Sequence, residues 1–552
     1  MTHYQKARPY AYYALLILTL TYILNFIDRT IISILAEEIK AGLHVDDASL
    51  GFLYGTAFAV FFSICGIPLA RLADVWSRKK LIGCGVFLWS LMTALSGTAH
   101  SFTALAIYRV GVGVGEAAAA PASLSMLADL FNKKIRATAY GIWSTGVFIG
   151  SGLGFAVGGA TLSVYRKWFP NGEAPFGMQD WQLSMFLVGV PGLLLAALVL
   201  MLREPKRGQM DDEVVEQSNV RPLKLFLQEL AAVIPPFTVY NLYRLSGRQN
   251  ASHAPGGELR GKRSVVVRNI GYGLLLAAIA SVCIYFLGSP GQWITLALGG
   301  YAFVSWLQRV KIVDFPCFVM VFKSKAMRYS VLGFSLIGFT SYGLGFWFAP
   351  YIIRRFHSTP SEVGAMMGII VFAAGILSIL AGGYCSDLLK RLTPKARPYM
   401  GLVSMLALPF YYMALQAQDL SMLYTYASLG IFWGMIWIPS SLAMASELCP
   451  PRMRATAIAF NQLAGTLIGL AMGPYIMGEI SVVMGNMGYN EADSLQMAML
   501  LGLTVSAPLA VFMLVKASWY VEEEENTVPK RAADAGEMPL ADLTSLAREL
   551  PC

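Results

Sequence analysis

Long apolar runs recur along the chain and constrain its fold more than any other feature. Each is long enough to cross about 30 Å of hydrocarbon, for which a helix needs roughly 20 residues. Only 14% of the 552 residues are charged, against roughly 25% in soluble domains, so a chain of soluble domains is excluded. Spans are predicted at 9–27, 49–70, 81–99, 101–128, 137–165, 182–202, 329–353, 363–385, 398–418, 420–446, 455–478 and 494–515.

The chain also repeats itself. The sequence RATAYGIWSTGVFIG begins at Arg136, and RATAIAFNQLAGTLIG begins 318 residues later at Arg454. Asp74 in LADVWSRKK has a counterpart 313 residues later, Asp387 in YCSDLLKR. Nearly equal offsets predict two six-helix bundles with parallel topology.

The predicted bundles occupy 1–203 and 323–519, with an insert at 204–322 and a flexible tail at 520–552. Two apolar segments within 269–308, joined by the turn sequence GSPG, predict a membrane hairpin. The expected fold is therefore all-α, with about fourteen transmembrane helices. Alternatively, the two segments lie in the membrane interface, because the second is short for a span.

The net charge of +9 is explained by topology rather than by nucleic-acid binding. Arg and Lys concentrate in alternate connections, including 71–80, 203–207 and 390–397, whereas the opposite connections are short or acidic. The positive-inside rule then predicts cytoplasmic termini, and the protein is expected in the plasma membrane. Arg354 and Arg355 are the clear exception.

Four charged residues lie well inside the predicted core spans, and they are the candidate functional site. Asp28 and Arg29 belong to the first span, and Arg109 and Glu116 belong to the fourth. Charged side chains are costly within a membrane and usually serve function. Arg109 and Glu116 are two helical turns apart and share a face, as Asn25 and Asp28 do by their three-residue spacing.

If the first and fourth spans meet, these residues form a compact cluster that neutralises itself. We expect Asp28 and Glu116 to carry protons, because a carboxylate with a movable partner is able to exchange one. Arg29, Arg109 and Asn25 are expected to bind substrate. The alternative is a structural ion pair that only holds the two helices together.

Repeated acidic residues next to basic ones predict conformational gating. Asp74, followed by Arg78, is expected to dock at the start of the eleventh span near Arg454, where a helix N-terminus carries partial positive charge. Asp387 is expected to face the equivalent position near Arg136. The alternative is a solvated loop that fixes only the orientation in the membrane.

Aromatic residues on the spans are candidates for a cavity lining, since binding pockets favour aromatic walls. They are Trp143, Tyr342, Trp433 and Trp437, of which Trp143, Tyr342 and Trp437 are expected to contact substrate. The alternative for each of them is packing within the bundle or contact with lipid.

Enzyme, metal and cofactor chemistry are not expected. The five histidines lie outside the predicted spans, and the seven cysteines show no CxxC pair. The stretch GGELRGKR at 256–263 departs from a phosphate loop, because Arg263 stands where Ser or Thr would bind magnesium. We therefore expect an ion gradient, or the gradient of the substrate itself, to supply the energy.

Three motifs together resemble the Spinster-like branch of the major facilitator superfamily: RVGVGVGEA at 109–117, GVFIGSGLGFAVGG at 146–159 and LADVWSRKK at 72–80. The resemblance implies coupling and substrate handling by Asp28, Arg29, Arg109 and Glu116. It also implies an amphipathic anion as substrate, such as a lysophospholipid or a sphingosine-1-phosphate-like lipid. Ala70 and Val75 depart from the loop motif of the family.

The predicted protein is a monomeric, proton-coupled secondary transporter that works by alternating access. Its expected partners are the substrate, protons and membrane lipids. A second hypothesis is a transporter of small organic acids, sugars or drugs, because the same fold serves many substrates. A third is a membrane sensor or receptor on a transporter-like scaffold, for which binding without translocation would be the distinguishing observation.

Overall fold

The computed structural model describes residues 9–132, 135–170, 177–210, 221–246 and 262–537. Within these residues the chain forms helices and no strand. The physical reason is that lipid offers no hydrogen-bond partners, so the backbone has to satisfy its own N–H and C=O groups. The last part of the predicted tail, after Glu537, lies outside the described residues.

Fourteen long helices, labelled in chain order, build the described part of the protein. They are α1 Pro9–Ile34, α2 Asp47–Val75, α3 Arg78–Ser96, α4 Phe102–Leu130, α5 Arg136–Trp168, α6 Asp180–Met201, α7 Lys262–Leu287, α8 Pro290–Val313, α9 Lys325–Phe356, α10 Pro360–Leu392, α11 Ala396–Leu415, α12 Leu420–Glu447, α13 Pro451–Asn486 and α14 Glu491–Asn526.

Twelve of these helices are long and apolar enough to cross a membrane. The other two are α3, which packs between α4 and α6, and α8, the second helix of the insert. The predicted number of about fourteen spans is therefore approximate. Helix α14 continues past the expected start of the tail, and the short helix Val528–Asp534 follows it.

The two sides of the helical body differ in their connections. We call the side that carries the α2–α3, α4–α5 and α10–α11 connections the basic side, because Arg and Lys concentrate there. Several helices that start on the opposite side have a side chain that caps a backbone N–H in the first turn. These capping residues are Asp46, Ser101, Thr359, Asp419 and Asn490.

The N-terminal half (α1–α6) and the C-terminal half (α9–α14) meet mainly on the opposite side. Ser33 on α1 donates a hydrogen bond to the Phe346 carbonyl on α9 at 2.5 Å. Thr56 on α2 donates one to the Ala471 carbonyl on α13 at 2.7 Å. Near the basic side, Ala119–Leu130 and Ile438–Glu447 pack mainly within their own halves, so the contacts between the halves of the described chain lie chiefly toward the opposite side.

The insert lies beside the seam between α2 and α13. Its helices α7 and α8 form an antiparallel hairpin, joined by a polar cluster in which Asn269 donates to Ser305 and Gln308 and accepts from Tyr301. Helix α8 packs on both α2 and α13. The insert therefore contacts both halves of the protein.

Candidate functional site

Helices α1 and α4 meet through an ion pair at the centre of the N-terminal half. Arg29 Nε donates to Glu116 Oε2 at 2.7 Å. The side chain of Glu116 is 0% exposed, whereas that of Arg29 is 21% exposed. The structure thus brings together two of the four predicted charged residues, and it leaves one edge of the arginine accessible.

Aromatic rings surround the arginine side chains. The Arg29 guanidinium carbon lies 5.0 Å from the Phe26 ring centre, 4.6 Å from that of Phe58 and 5.0 Å from that of Phe62. The Arg109 guanidinium carbon lies 5.5 Å from the Phe58 ring centre. Cation–π attraction stabilises a cation at such distances, more strongly when the cation is desolvated. Nothing in the sequence pattern singled out Phe58 or Phe62.

Asp28 and Asn25 lie beside this ion pair, and both are buried. Arg109 Nη1 reaches the backbone carbonyl of Asp28 at 3.5 Å. Neither carboxylate oxygen of Asp28 makes a well-formed hydrogen bond among the described residues, although the Thr93 hydroxyl lies nearby. An ionised carboxylate without a donor is unfavourable in a low-dielectric interior. The four charged residues therefore form one cluster, in which Arg109 is the cation nearest in charge interaction to Asp28 and the Asp28 carboxylate is weakly hydrogen-bonded.

The predicted aromatic residues occupy different surroundings. Trp143 is 4% exposed and stacks on Tyr22 of α1, with ring centres 3.8 Å apart. Tyr342 of α9 is 43% exposed and lies within electrostatic range of Arg29. Trp437 stacks on Phe334 within the C-terminal half and donates to the Gly434 carbonyl of its own helix. Only Trp143 and Tyr342 lie near the charged cluster.

Arg78 and Asp387 each belong to a charge cluster within one half. Arg78 is buried at the start of α3, where it forms ion pairs with Asp129 and Glu204. Burial alone would raise the pKa of Glu204, but hydrogen bonds from the Lys79 N–H, Arg78 and Ser77 hold that pKa below its usual value. Asp387 pairs with Arg397 at 2.9 Å.

Asp74 and Arg454 do not meet within the described part of the chain in this arrangement. Asp74 is exposed and lies within electrostatic range of Arg71 on its own helix and of Arg207, which follows α6. Arg454 donates to the Ser446 carbonyl at 3.2 Å, also within its half. Arg136 donates to the Phe131 carbonyl at 3.2 Å. Docking of Asp74 near Arg454 remains a prediction for a state that is closed on the basic side.

The opposite side carries an ion-pair cluster that the sequence analysis did not identify. It consists of Glu37, Lys40, Asp47, Arg354 and Glu491, which we call the opposite-side cluster. Arg354 of α9 holds both oxygens of Asp47 at 2.7 Å and approaches Glu37 at 2.9 Å. One feature of the sequence pointed to this cluster: Arg354 lies on the side that was predicted to be poor in basic residues.

No group of three or more His, Cys, Asp or Glu side chains that would hold a metal ion occurs within the described residues. The central cluster offers charged groups, namely two carboxylates and two guanidinium groups. Glu116 and Arg29 form a pair that an incoming anion is able to separate, with Asp28 as a second acid within reach.

Comparisons with known proteins identify the family. The model of the Major Facilitator Superfamily matches residues 18–474, with a second match over 331–549. Protein spinster homolog 1 of Xenopus tropicalis is 24% identical over 503 residues, which cover 87% of this chain and 75% of that protein. The sphingosine-1-phosphate transporter SPNS2 of Danio rerio is 22% identical over 484 residues, covering 84% of this chain and 75% of that protein.

A solved structure supports the same assignment at the level of the fold. It is a bacterial homolog of the human lysosomal transporter Spinster in an inward-facing, unoccupied conformation, with a TM-score of 0.65 and 24% identity over 95% of this chain and 99% of that one. The predicted resemblance to Spinster-like transporters is confirmed, as is the all-helical membrane fold. The chain belongs to the Major Facilitator Superfamily and is a multi-pass membrane transporter rather than an enzyme.

Proposed function

We propose that this transporter is proton-coupled and moves an amphipathic anion by alternating access between its two halves. The basic side is the cytoplasmic side, according to the positive-inside rule, and both termini lie there. The arrangement described above is then the inward-facing one. The membrane is the plasma membrane, and the monomer contains the whole pathway.

The observation that carries this proposal is a buried, weakly hydrogen-bonded acid next to an ion pair with an accessible edge. Asp28 is 1% exposed, and its carboxylate oxygens make no well-formed hydrogen bond within the described residues. A proton on Asp28 removes the cost of burying that charge. Asp28 thus carries a proton in the inward-facing state, and it releases that proton when the halves rearrange.

The second step concerns Arg29. Its side chain is 21% exposed, so an anionic group in the cavity reaches it and competes with Glu116. Once the anion pairs with Arg29, Glu116 is left buried and stable only with a proton. Anion binding and protonation of Glu116 therefore favour each other, and the linkage between them is reciprocal. Arg109 is 2% exposed and acts by neutralising charge rather than by contacting substrate.

The surroundings of Arg29 favour an amphiphile. Phe26 and Tyr22, with the buried Trp143 stacked behind Tyr22, form a connected aromatic group next to the accessible edge of Arg29. Such a wall accommodates an apolar chain while the arginine holds an acidic head group. The Danio rerio relative is named as a transporter of one such lipid, sphingosine-1-phosphate, and this supports the choice of substrate class.

Uptake into proteoliposomes tests the proposal. Sphingosine-1-phosphate and succinate serve as the lipid and small-anion probes, each with and without an imposed pH gradient. We expect gradient-dependent uptake of the lipid only. Asp28→Asn should abolish the gradient dependence, whereas Glu522→Gln, at a side chain 51% exposed, should leave it intact.

Each of the other results contradicts a particular part of the proposal. Lipid uptake by the wild type that does not depend on the pH gradient would reject proton coupling. Uptake of succinate alone would reject the amphiphile and favour the small-anion hypothesis. Binding of the lipid without any uptake would favour a sensor over a transporter of this substrate.

A further inference from the structure

The insert has a cytoplasmic portion of two short helices, Pro222–Ala231 and Phe237–Ser246, which we call the rim helices. The first packs on α2, and the second packs on α7 and α8. The turn between them is buried, with Ala232 1% exposed and Val233 2% exposed. The rim helices are therefore docked on the membrane helices rather than free in the cytoplasm.

Polar contacts attach the rim helices to α8. Both oxygens of Glu229 accept hydrogen bonds from the guanidinium of Arg309, one of them at 2.7 Å. Thr238 is 0% exposed, and its hydroxyl lies near Tyr301 on α8. A displacement of the rim helices is thus transmitted to α8.

Helix α8 in turn contacts both halves of the transporter. A methyl group added at Gly299 would lie 3.0 Å from Val60 on α2 and 3.1 Å from Leu467 on α13. Phe303 stacks on Phe460 of α13, with ring centres 6.0 Å apart and planes 14° apart. Because alternating access changes the spacing of α2 and α13, α8 cannot keep both contacts in every state.

The outward face of the rim helices is apolar with basic ends. Its exposed apolar side chains are Leu223 at 69%, Leu227 at 53%, Phe237 at 60% and Tyr240 at 69%. The exposed basic residues are Arg221, Lys224 and Arg244, and none of them has an ion-pair partner among the described residues. The only acidic residue of 221–246 is Glu229, which Arg309 already binds.

We propose that the rim helices bind anionic lipid head groups of the cytoplasmic leaflet, and that this binding holds α8 in the seam between α2 and α13. An apolar face with basic residues at its edges suits the membrane interface, and each basic residue there adds attraction to an anionic surface. Acidic lipid thereby favours the inward-facing arrangement.

A lipid surface fits this face because the neighbouring surface is already lipid-facing. Val267, Ile270 and Leu274 on α7 are 60%, 45% and 67% exposed, and α7 is itself a candidate membrane span. The rim helices extend this apolar surface and add three positive charges to it. The inference uses the two-state motion of the proposed transporter but not its substrate or its proton coupling.

Hydrogen exchange tests the inference without any transport measurement. The full-length protein is placed in nanodiscs of phosphatidylcholine, with or without phosphatidylglycerol, and amide exchange is followed by mass spectrometry. In the wild type, phosphatidylglycerol should slow exchange in 222–246 and in 290–313 by about tenfold. Equal exchange in the two lipids would overturn the proposal.

Variants separate lipid binding from its transmission to α8. The triple variant Arg221→Gln, Lys224→Gln, Arg244→Gln should lose the slowing in both segments, and Lys516→Gln on α14 serves as the matched control. Arg309→Gln should keep the slowing in 222–246 and lose it in 290–313. Slowing that persists in the triple variant would reject these residues as the binding surface. Slowing that persists in 290–313 of Arg309→Gln would reject transmission through this ion pair.

Discussion

At the scale of single residues, the central cluster explains how a charge survives inside an apolar body. Arg29 has a carboxylate partner at 2.7 Å and three aromatic rings around its guanidinium. A buried ion pair gives little net stability, because desolvation offsets the attraction, but removing one partner leaves an uncompensated charge. This asymmetry makes the pair suitable for exchange with an incoming anion.

Glu116→Gln should therefore destabilise the protein markedly. We expect the free energy of unfolding to fall by about 3 kcal/mol, since Arg29 loses its counter-charge in a buried site. Glu522→Gln removes the partner of Lys395 at an exposed site. It should change the free energy of unfolding by less than about 0.5 kcal/mol. Titration of the two reconstituted variants with a denaturing detergent measures their free energies of unfolding. Equal effects would mean that Glu116 is solvated.

Glu38 should make stability depend on pH near neutrality. Burial raises its pKa to about 7, with the nearby Asp180 adding to the rise and Arg166 opposing it. Because the folded state holds the proton more tightly than the unfolded chain, this stabilisation is complete at acidic pH and is lost as the pH rises through about 7. The free energy of unfolding should fall by roughly 2 kcal/mol between pH 5 and 8.

Glu38→Gln should remove this pH dependence while leaving the protein folded. The measurement is detergent-induced unfolding of both proteins at a series of pH values. If the variant shows the same dependence of the unfolding free energy on pH as the wild type, another group is responsible for the titration.

At the scale of helices, glycine sets how closely the two halves approach on the opposite side. A methyl group added at Gly152 on α5 would lie 2.6 Å from the Gly368 carbonyl oxygen on α10. One added at Gly364 would lie 2.4 Å from the Phe155 carbonyl oxygen. Small residues let membrane helices pack backbone to backbone, so α5 and α10 close that seam tightly.

Gly152→Val should separate α5 from α10 on the opposite side. The added carbons meet backbone rather than a flexible side chain, so the helices have to move. Spin labels at Lys167→Cys and Met366→Cys would report the change as a longer and broader distance distribution. Gly141→Val on the same helix meets no heavy atom within 4 Å at its Cβ and should leave the distribution unchanged. A shift in both variants would indicate a general disturbance of α5.

At the scale of the whole molecule, the opposite-side cluster holds the two halves together. Asp47 and Glu37 belong to the N-terminal half, and Arg354 belongs to the C-terminal half. Ser481 of α13 also donates to Asp47 at 2.8 Å. The side chain of Arg354 is 4% exposed, so water screens this network less than it screens a surface ion pair. Opening on this side has to break it.

Arg354→Gln should shift the transporter toward the state that is open on the opposite side. The expected result is faster modification of Ser33→Cys by a membrane-impermeant thiol reagent, because Ser33 is 1% exposed in the closed arrangement. We expect an increase of about tenfold, corresponding to a loss of about 1.4 kcal/mol from the closed state. Arg355→Gln, which removes an exposed pair with Asp493, is the control. An unchanged rate would show that the helix crossings alone keep this side closed.

The sequence by itself determined the membrane class, the two related halves and the charged residues of the first and fourth spans. These features are local, because length, hydropathy and a repeat offset are read directly along the chain. The rarity of charge in lipid is enough to single out Asp28 and Glu116 without knowing what they touch. Hydropathy alone did not settle the count of spans, because α3 and α8 coincide with predicted apolar runs and yet do not have the length and composition of a membrane span.

Only the tertiary structure decided which residues meet. The pairing of Arg29 with Glu116, the aromatic surroundings of Arg29 and the contact of Arg354 with Asp47 join positions that are far apart in sequence. The accessible edge of Arg29 and the packed position of Trp437 are also properties of the assembled bundle. The physical reason is that helix packing depends on the shapes of facing surfaces, and a one-dimensional pattern shows which face is apolar but not which partner fills it.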